Sequence, residues 1–100
     1  MMKRFSVFVN GVNFFLEQEN SVKRFGFYTT IYVYALSDED AEHKALNIIK
    51  NDPKLRDGIF NDKSDPPQIF IEKITETGSS IPPDKERTGY VFYEEEERLN

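Results

Sequence analysis

Between Arg24 and Ala35 the chain is nearly free of helix-forming residues and rich in aromatic and β-branched side chains, which fit the pleated surface of a sheet. We therefore predict the longest strand of the fold here. Successive side chains of a strand point to opposite faces. One set of alternate positions is largely apolar and is assigned to the core: Phe25, Phe27, Thr29, Ile31 and Val33.

The other positions of this strand carry three tyrosines and a threonine, here called the tyrosine stripe: Tyr28, Thr30, Tyr32 and Tyr34. Tyrosine offers a large contact area at low entropic cost and keeps a hydroxyl for hydrogen bonding. Three interpretations stay open, namely cover by a helix or loop of the same chain, association between subunits, and a site for a ligand or protein partner. The stripe is the candidate binding or interface site.

A second signal is the dipeptide Asn10-Gly11. A two-residue type I′ turn needs positive φ at both central positions, and Asn followed by Gly accepts this best. We predict a hairpin that turns here and joins two short strands. Its facing pairs are Val9 with Val12, Val7 with Phe14, Phe5 with Leu16 and Arg4 with Glu17, with Ser6, Phe8, Asn13 and Phe15 on the opposite face.

A helix is predicted from Ser37 to about Asn51. Ser37 is a suitable N-cap, and three acidic residues follow it where the helix dipole favours negative charge. Pro53 disfavours helical conformation in the residue before it, so the helix should end just ahead of this proline. Its apolar side is formed by Ala41, Ala45, Ile48 and Ile49, with Leu46 at the margin and His43 on the polar side.

Residues 51–67 have the composition of a long turn-rich loop, which Leu55, Ile59 and Phe60 are expected to anchor under the sheet. Strands are predicted from Gln68 to Thr75 and from Tyr90 to Tyr93. A second loop begins at Gly78, and the run of glutamates from Glu94 should be solvated. The predicted organisation is one domain over residues 1–93 and an acidic tail over residues 94–100.

The predicted fold is α+β, with one mainly antiparallel sheet of about five strands and a single helix packed on one face, in the order ββ-β-α-β-β. One helix does not cover five strands, so the other face of the sheet should stay open and carry the tyrosine stripe. An open aromatic face on a monomer favours association. A homodimer is the expected state, and another protein is a possible partner.

Length and composition limit the class of protein further. One hundred residues form one small domain, and the absence of cysteine excludes disulfides and thiolate metal sites. The stretch Phe5 to Val9 is too short for a secretory signal and no apolar run would span a bilayer, which predicts a cytoplasmic protein without membrane association. A net charge of −5 opposes contact with nucleic acids and anionic membranes.

Residues for catalysis are few. His43 is the only imidazole, and its place between Glu42 and Lys44 on the polar side of the helix is typical of a solvated surface residue. No catalytic constellation is recognisable, so no enzyme activity and no cofactor are predicted. The best carboxylate cluster does not match a calcium loop and is interpreted as solvated turn residues rather than a metal site: Asp52, Asp57, Asp62 and Asp65.

Nucleic-acid binding has one argument in its favour, since Lys23 and Arg24 precede an aromatic strand and aromatic sheets can stack single-stranded bases. Against it, 18 acidic residues outnumber 13 basic ones. The glycines are scattered singly, which excludes a phosphate-binding loop of the usual kind. We regard nucleic acid as an improbable partner.

The run Gly26-Phe27-Tyr28-Thr29-Thr30, the helix that starts with acidic residues, and Asp65-Pro66-Pro67 ahead of a strand resemble a family of small bacterial proteins without an assigned function. In that family a basic residue is expected after the two threonines, where this chain has Ile31. The middle third of the chain is also similar to HicB-type antitoxins, through the acid-started, alanine-spaced helix from Ser37 to Ile49. Neither resemblance implies a mechanism, and the second concerns the fold only.

From the sequence we therefore predict a non-enzymatic interaction or regulatory module that self-associates through an open sheet face or an edge strand. One alternative is a protein that binds a small molecule or divalent ion, or a minor enzyme, with a pocket under the loop of residues 51–67. The other alternative is a binder of single-stranded nucleic acid.

Overall fold

The structure is a computed structural model that describes residues 2–77 and 88–95. Within these residues the strands form one antiparallel sheet in the order β3-β1-β2-β4, and no helix is long and apolar enough to cross a bilayer. The predicted loop from Gly78 to Pro83 and the last residues of the acidic tail lie outside the described ranges. The elements are β1 (Lys3–Gln18), β2 (Ser21–Ala35), α1 (Asp38–Lys50), α2 (Pro53–Arg56), β3 (Gln68–Thr77) and β4 (Val91–Glu94).

The α+β class and the antiparallel sheet are confirmed, but the described sheet has four strands where about five were expected, and two helices where one was expected. The predicted hairpin at Asn10-Gly11 is wrong. β1 runs straight through this dipeptide, and the chain reverses at Glu19-Asn20, whose φ angles of 52° and 67° are both positive. The predicted facing pairs are therefore also wrong, since Val9 lies opposite Thr29 and Phe5 opposite Val33.

Gly11 serves close packing instead of chain reversal. Its φ is not positive, and a Cβ at this position would lie 2.2 Å from Cε2 of the Phe27 ring. The ring of Phe27 thus occupies the space above the glycine. The pairing of β1 with β2 shifts register between Gly11 and Phe14, and Asn13 in this irregularity has a φ of 62°.

The observed turn gives a first prediction, that Glu19→Gly stabilises the fold. Glu19 holds a left-handed conformation, which is unfavourable for a residue with a side chain and costs glycine little. We expect the free energy of unfolding in urea to rise by about 0.5–1 kcal/mol, because the left-handed conformation costs about 1–2 kcal/mol and the greater freedom of glycine in the unfolded chain offsets only part of this gain. The matched control is Glu17→Gly in the extended part of β1, where glycine should lower stability; a gain at both positions would contradict the turn assignment.

The first helix agrees with its prediction. The Ser37 hydroxyl accepts a hydrogen bond from the backbone N–H of Asp40 at 3.2 Å, and three acidic residues occupy the first turn. The helix ends at Lys50, shortly before Pro53. Ala41, Ala45 and Ile49 are buried. The two alanines allow the helix to lie close to the sheet, and His43 is exposed as expected.

The core lies between the helices and one face of the sheet. All five residues of β2 that were assigned to the core are buried, and Phe27 and Ile31 are fully so. From β1 the core receives Phe5, Val7, Val9 and Phe14. The core residues of β2 were therefore predicted correctly. On β1 the predicted apolar face is correct for Phe5, Val7, Val9 and Phe14, whereas Leu16 is only partly buried and Val12 does not belong to the core.

The region 51–67 is more structured than a loop. It contains α2, whose Leu55 is buried, and Ile59 packs partly against the core. The Phe60 side chain is 57% exposed and does not anchor the segment as predicted, although its backbone N–H donates to the carbonyl of Phe15 at 2.8 Å. Asp52, predicted to be solvated, is 5% exposed because its carboxylate caps α2 through the Lys54 N–H and accepts from a phenol. The other three acids of that cluster are exposed.

The last described strand extends one residue beyond its predicted end. β4 includes Glu94, and the backbone N–H of Glu95 donates to the carbonyl of Arg24 at 2.9 Å. The sheet thus reaches past Tyr93, where the sequence predicted the folded domain to stop. This extension brings Glu94 and Glu95 beside the first half of β2, next to Phe25 and Arg24.

Candidate functional site

The tyrosine stripe lies on the sheet face that is turned away from both helices. The helix residues of the core pack with the opposite set of β2 side chains, and strand alternation places the stripe on the other side. Tyr28 is 38% exposed and Tyr34 is 46% exposed, while Thr30 and Tyr32 are half-buried. Among the described residues, no helix covers this surface, which we call the open face.

Two further aromatic side chains extend the stripe across neighbouring strands. The Phe8 ring of β1 stacks on Tyr28 with centroids 5.4 Å apart and an interplanar angle of 6°. On the other side, the Tyr93 ring of β4 lies 5.4 Å from Tyr28. Phe8, Tyr28 and Tyr93 form an aromatic row that crosses three strands. Such ring pairs add about 0.5–1.5 kcal/mol each beyond the area they bury.

Gly26 makes room for one member of this row. A Cβ on Gly26 would lie 2.2 Å from Cζ of Tyr93, so the tyrosine ring rests directly on the glycine backbone. The Tyr93 hydroxyl donates to Oδ1 of Asn10 at 3.0 Å. Partial burial, with Tyr28 and Glu95 nearby, raises the pKa of the Tyr93 phenol above its ordinary value, so the phenol stays protonated and able to donate at neutral pH.

The opposite end of the stripe holds a shielded cation. Arg4 of β1 is only 8% exposed, and its Cζ lies 4.8 Å from the Tyr34 ring centroid and 5.9 Å from that of Tyr32. A guanidinium at this distance is attracted by the electron-rich ring face. The two tyrosine rings therefore shield the Arg4 guanidinium.

Thr29 and Thr30 have structural contacts. The Thr29 hydroxyl donates to the carbonyl of Thr88 at 3.1 Å, and the Thr30 N–H donates to the Thr88 hydroxyl at 3.0 Å. Thr88 in turn donates its N–H to the Thr30 carbonyl at 2.9 Å. These bonds continue the pairing of β2 beyond β4 and close that part of its edge.

The basic residues at the start of β2 are matched by acids. Lys23 lies 3.9 Å from Glu94, and Nε of Arg24 lies 3.1 Å from Glu95. Glu95 also accepts the backbone N–H of Asn13 at 2.8 Å. The cations that were the argument for nucleic-acid binding are thus held in a polar network within the chain.

Sequence reasoning placed Ser6 and Phe8 on the face away from the core but did not find that Phe8 stacks on the stripe. It also missed Arg4 and Tyr93 as neighbours of the tyrosines. The signal for Phe8 was present, because a reversal at Glu19-Asn20 places Phe8 opposite Thr30 and next to Tyr28. The contact of Phe8 with Tyr28 was not predicted because the turn was placed at Asn10-Gly11, which gives Phe8 other neighbours.

No other arrangement of reactive groups competes with the open face in the described part of the chain. His43 is exposed on α1. No group of three or more histidine, aspartate or glutamate side chains in residues 2–77 and 88–95 is placed to hold a metal ion. The open face itself offers aromatic surface, hydroxyls and one shielded cation, which suit contact with another surface.

Comparison with known proteins adds no family to this description. No protein-family model matches the chain, and neither the curated proteins nor the solved structures contain a significant match.

Proposed function

We propose that this protein is a non-enzymatic interaction module of the cytoplasm that forms a homodimer through the open face. The observation that carries the proposal is the exposed aromatic row with its neighbouring Arg4–Tyr34 pair, on a face that neither helix covers. Exposed aromatic patches of this kind commonly mark association sites.

The charge of the open face favours a second copy as the occupant. The chain has a net charge of −5, so two copies repel each other on average. The four residues of the stripe are uncharged, and the cation beside them is shielded by two rings. Two open faces therefore meet without bringing the acidic surfaces together.

The size of the open face indicates a weak dimer. From Tyr28 to Tyr34 the strand spans about 20 Å, and the three strands that run along this stretch, β3, β1 and β2, are about 14 Å wide, which gives about 280 Å² in projection. Interfaces of standard size bury about 800 Å² per partner, and those well below this are transient. A reversible dimer at micromolar concentration is the expected state.

The edge strands are less suited to the same role. The outer strand β3 carries Glu72, Lys73 and Glu76, and its pairing with β1 shifts register between Phe8 and Val9. Charges and irregularities of this kind protect an edge from pairing with another chain. The other edge, β4, is only four residues long. Association through the open face is therefore favoured over strand addition.

We expect light scattering over a micromolar concentration series to show a mass rising from 11.7 kDa toward twice that value. Tyr32→Asp introduces a charge at the centre of the open face and should keep the protein monomeric at every concentration. The matched control is Phe60→Asp, which places the same charge on an exposed aromatic residue of the 51–67 region and should leave the dimer intact.

Circular dichroism of each variant establishes that the fold is retained. Tyr34→Asp, at a more exposed position of the stripe, provides a second test should Tyr32→Asp disturb Arg4. A native protein that stays monomeric throughout the series would overturn the proposal. A dimer that survives both stripe substitutions would assign association to another surface.

A further inference from the structure

An apolar pocket lies on the helix side of the sheet, beneath the 51–67 region. Its volume is about 240 Å³, and it is partly open to solvent. It is enclosed by the C-terminal end of α1, by α2, and by parts of β1 and β3. Its apolar walls are Phe14, Ile49, Leu55, Ile59, Pro67 and Ile69.

The wall formed by residues 57–67 is held in place by amide hydrogen bonds. The Asn61 side chain accepts from the Phe15 N–H at 3.1 Å and donates to the carbonyl of Asn13 at 2.8 Å. The Asn13 amide donates to Oδ1 of Asp65 at 2.8 Å. Ile59 also forms a bridge with Leu16 of β1. The pocket is thus preformed, which lowers the ordering cost of binding.

The only charged residues that line the pocket are basic. Lys50 is the last residue of α1, and it forms no ion pair with the residues described. Arg56 of α2 contacts Asp57 at 3.3 Å through Nε, on a side chain that is 58% exposed. In a chain of net charge −5, this pocket opens beside two cations.

The volume and the charge together specify a ligand. An apolar cavity of about 150 Å³ accommodates one benzene ring, so about 240 Å³ accommodates a ring with a short substituent. Ligand sites are commonly apolar clefts with a few charged groups that fix orientation. We infer that this pocket binds a small aromatic carboxylate, with its ring among the isoleucines and its carboxylate beside Lys50 and Arg56.

This site is independent of the proposed dimer, because it lies on the other side of the sheet. The test is a titration of the ¹⁵N-labelled full chain with 3-phenylpropionate, followed by NMR. The amide signals of Ile49, Ile59 and Ile69 should shift in a saturable manner. The neutral 3-phenylpropanamide, of the same shape, should bind about fivefold more weakly because it lacks the charge.

Substitutions distinguish the contribution of the two cations to binding from that of the apolar cavity. Lys50→Gln and Arg56→Gln should each weaken 3-phenylpropionate binding about two- to fivefold and leave the amide unaffected. Lys54→Gln is the matched control, since Lys54 is an exposed cation of α2 that does not line the pocket. Ile59→Phe fills the cavity and should abolish binding of both compounds.

Three results would overturn the inference. Absence of shifts at millimolar 3-phenylpropionate would remove the site. Equal affinity for the acid and the amide, or loss in Lys54→Gln equal to that in Lys50→Gln, would remove the role of the two cations. Unchanged binding in a folded Ile59→Phe would place the ligand elsewhere. None of these outcomes depends on the oligomeric state, so failure here leaves the proposed dimer untouched.

Discussion

Phe27→Ala is expected to lower the free energy of unfolding by about 3–5 kcal/mol, which is the usual cost of truncating a buried phenylalanine. Phe27 has no exposed surface. Its ring lies 5.1 Å from that of Phe14, 5.0 Å from Tyr90 and 5.9 Å from Phe92. It therefore joins β1, β2 and β4, and the cavity left by its removal would open all of these contacts.

Urea denaturation followed by circular dichroism measures this loss. Small domains are stable by about 5–15 kcal/mol, so this loss removes a large share of the total stability. The control is Phe60→Ala, in which the same truncation on a 57% exposed side chain should change stability by less than about 0.5 kcal/mol. A loss below about 1 kcal/mol for Phe27→Ala would show that the three aromatic contacts are not formed as described.

Combining Phe27→Ala with Gly11→Ala tests specifically whether the Phe27 ring packs on Gly11. In the native chain Gly11→Ala should destabilise, because its Cβ would lie 2.2 Å from the Phe27 ring and 2.8 Å from that of Phe14. In the Phe27→Ala background the closer of these clashes disappears, so the cost of Gly11→Ala should fall. Additive effects of the two substitutions would contradict the packing of this ring on the glycine.

The parts of the fold that the sequence predicted depend on local patterns. The period of two along β2 separates its core residues from the tyrosine stripe without knowledge of any partner strand. The Ser37 cap and the spacing of Ala41, Ala45 and Ile49 define α1 in the same way. These elements were predicted correctly because each signal lies within about four residues of the structure it determines.

The hairpin was mispredicted because glycine is favoured both in tight turns and where a side chain packs closely on the backbone, and the sequence does not distinguish these two roles. Asn10-Gly11 has the ideal residues for a tight turn, yet Gly11 is required by the ring of Phe27, sixteen positions later in the chain. The true turn at Glu19-Asn20 has a weaker local signal, since only its asparagine favours positive φ. Packing at long range therefore outweighs turn propensity at Gly11.

The candidate site likewise has a part that local sequence patterns predict and a part that depends on long-range packing. The four residues of the stripe follow from the alternation of β2, whereas the aromatic row depends on register. Phe8 and Tyr93 reach Tyr28 only through the pairing of β1 and β4 with β2, and Gly26 leaves the space that the Tyr93 ring occupies. A single sequence does not contain that register once the turn is misplaced, because a slip changes every neighbour across the strands.

Asp52→Ala is expected to lower the free energy of unfolding by about 2–4 kcal/mol. The carboxylate is 5% exposed, accepts the Lys54 N–H at 3.0 Å and accepts the Tyr90 hydroxyl at 2.5 Å. Loss of a helix cap costs about 1 kcal/mol. Depriving a partly buried phenol of its charged acceptor costs a further 1–3 kcal/mol, approximately. The bond to Tyr90 links the start of α2 to the chain just before β4, so both ends of this contact should loosen.

A double-mutant cycle with Tyr90→Phe isolates the phenol–carboxylate contact from the cap. Tyr90→Phe keeps the ring against Phe27 and removes only the hydroxyl, so the coupling energy between the two substitutions should be about 1–3 kcal/mol. Asp52→Asn keeps an acceptor for the Lys54 N–H and should recover part of the loss. Additive single effects would show that Asp52 acts on α2 alone. A substantial coupling would instead establish that a buried acid, which its sequence context assigns to a solvated turn, holds the 51–67 region and the β4 side of the sheet together.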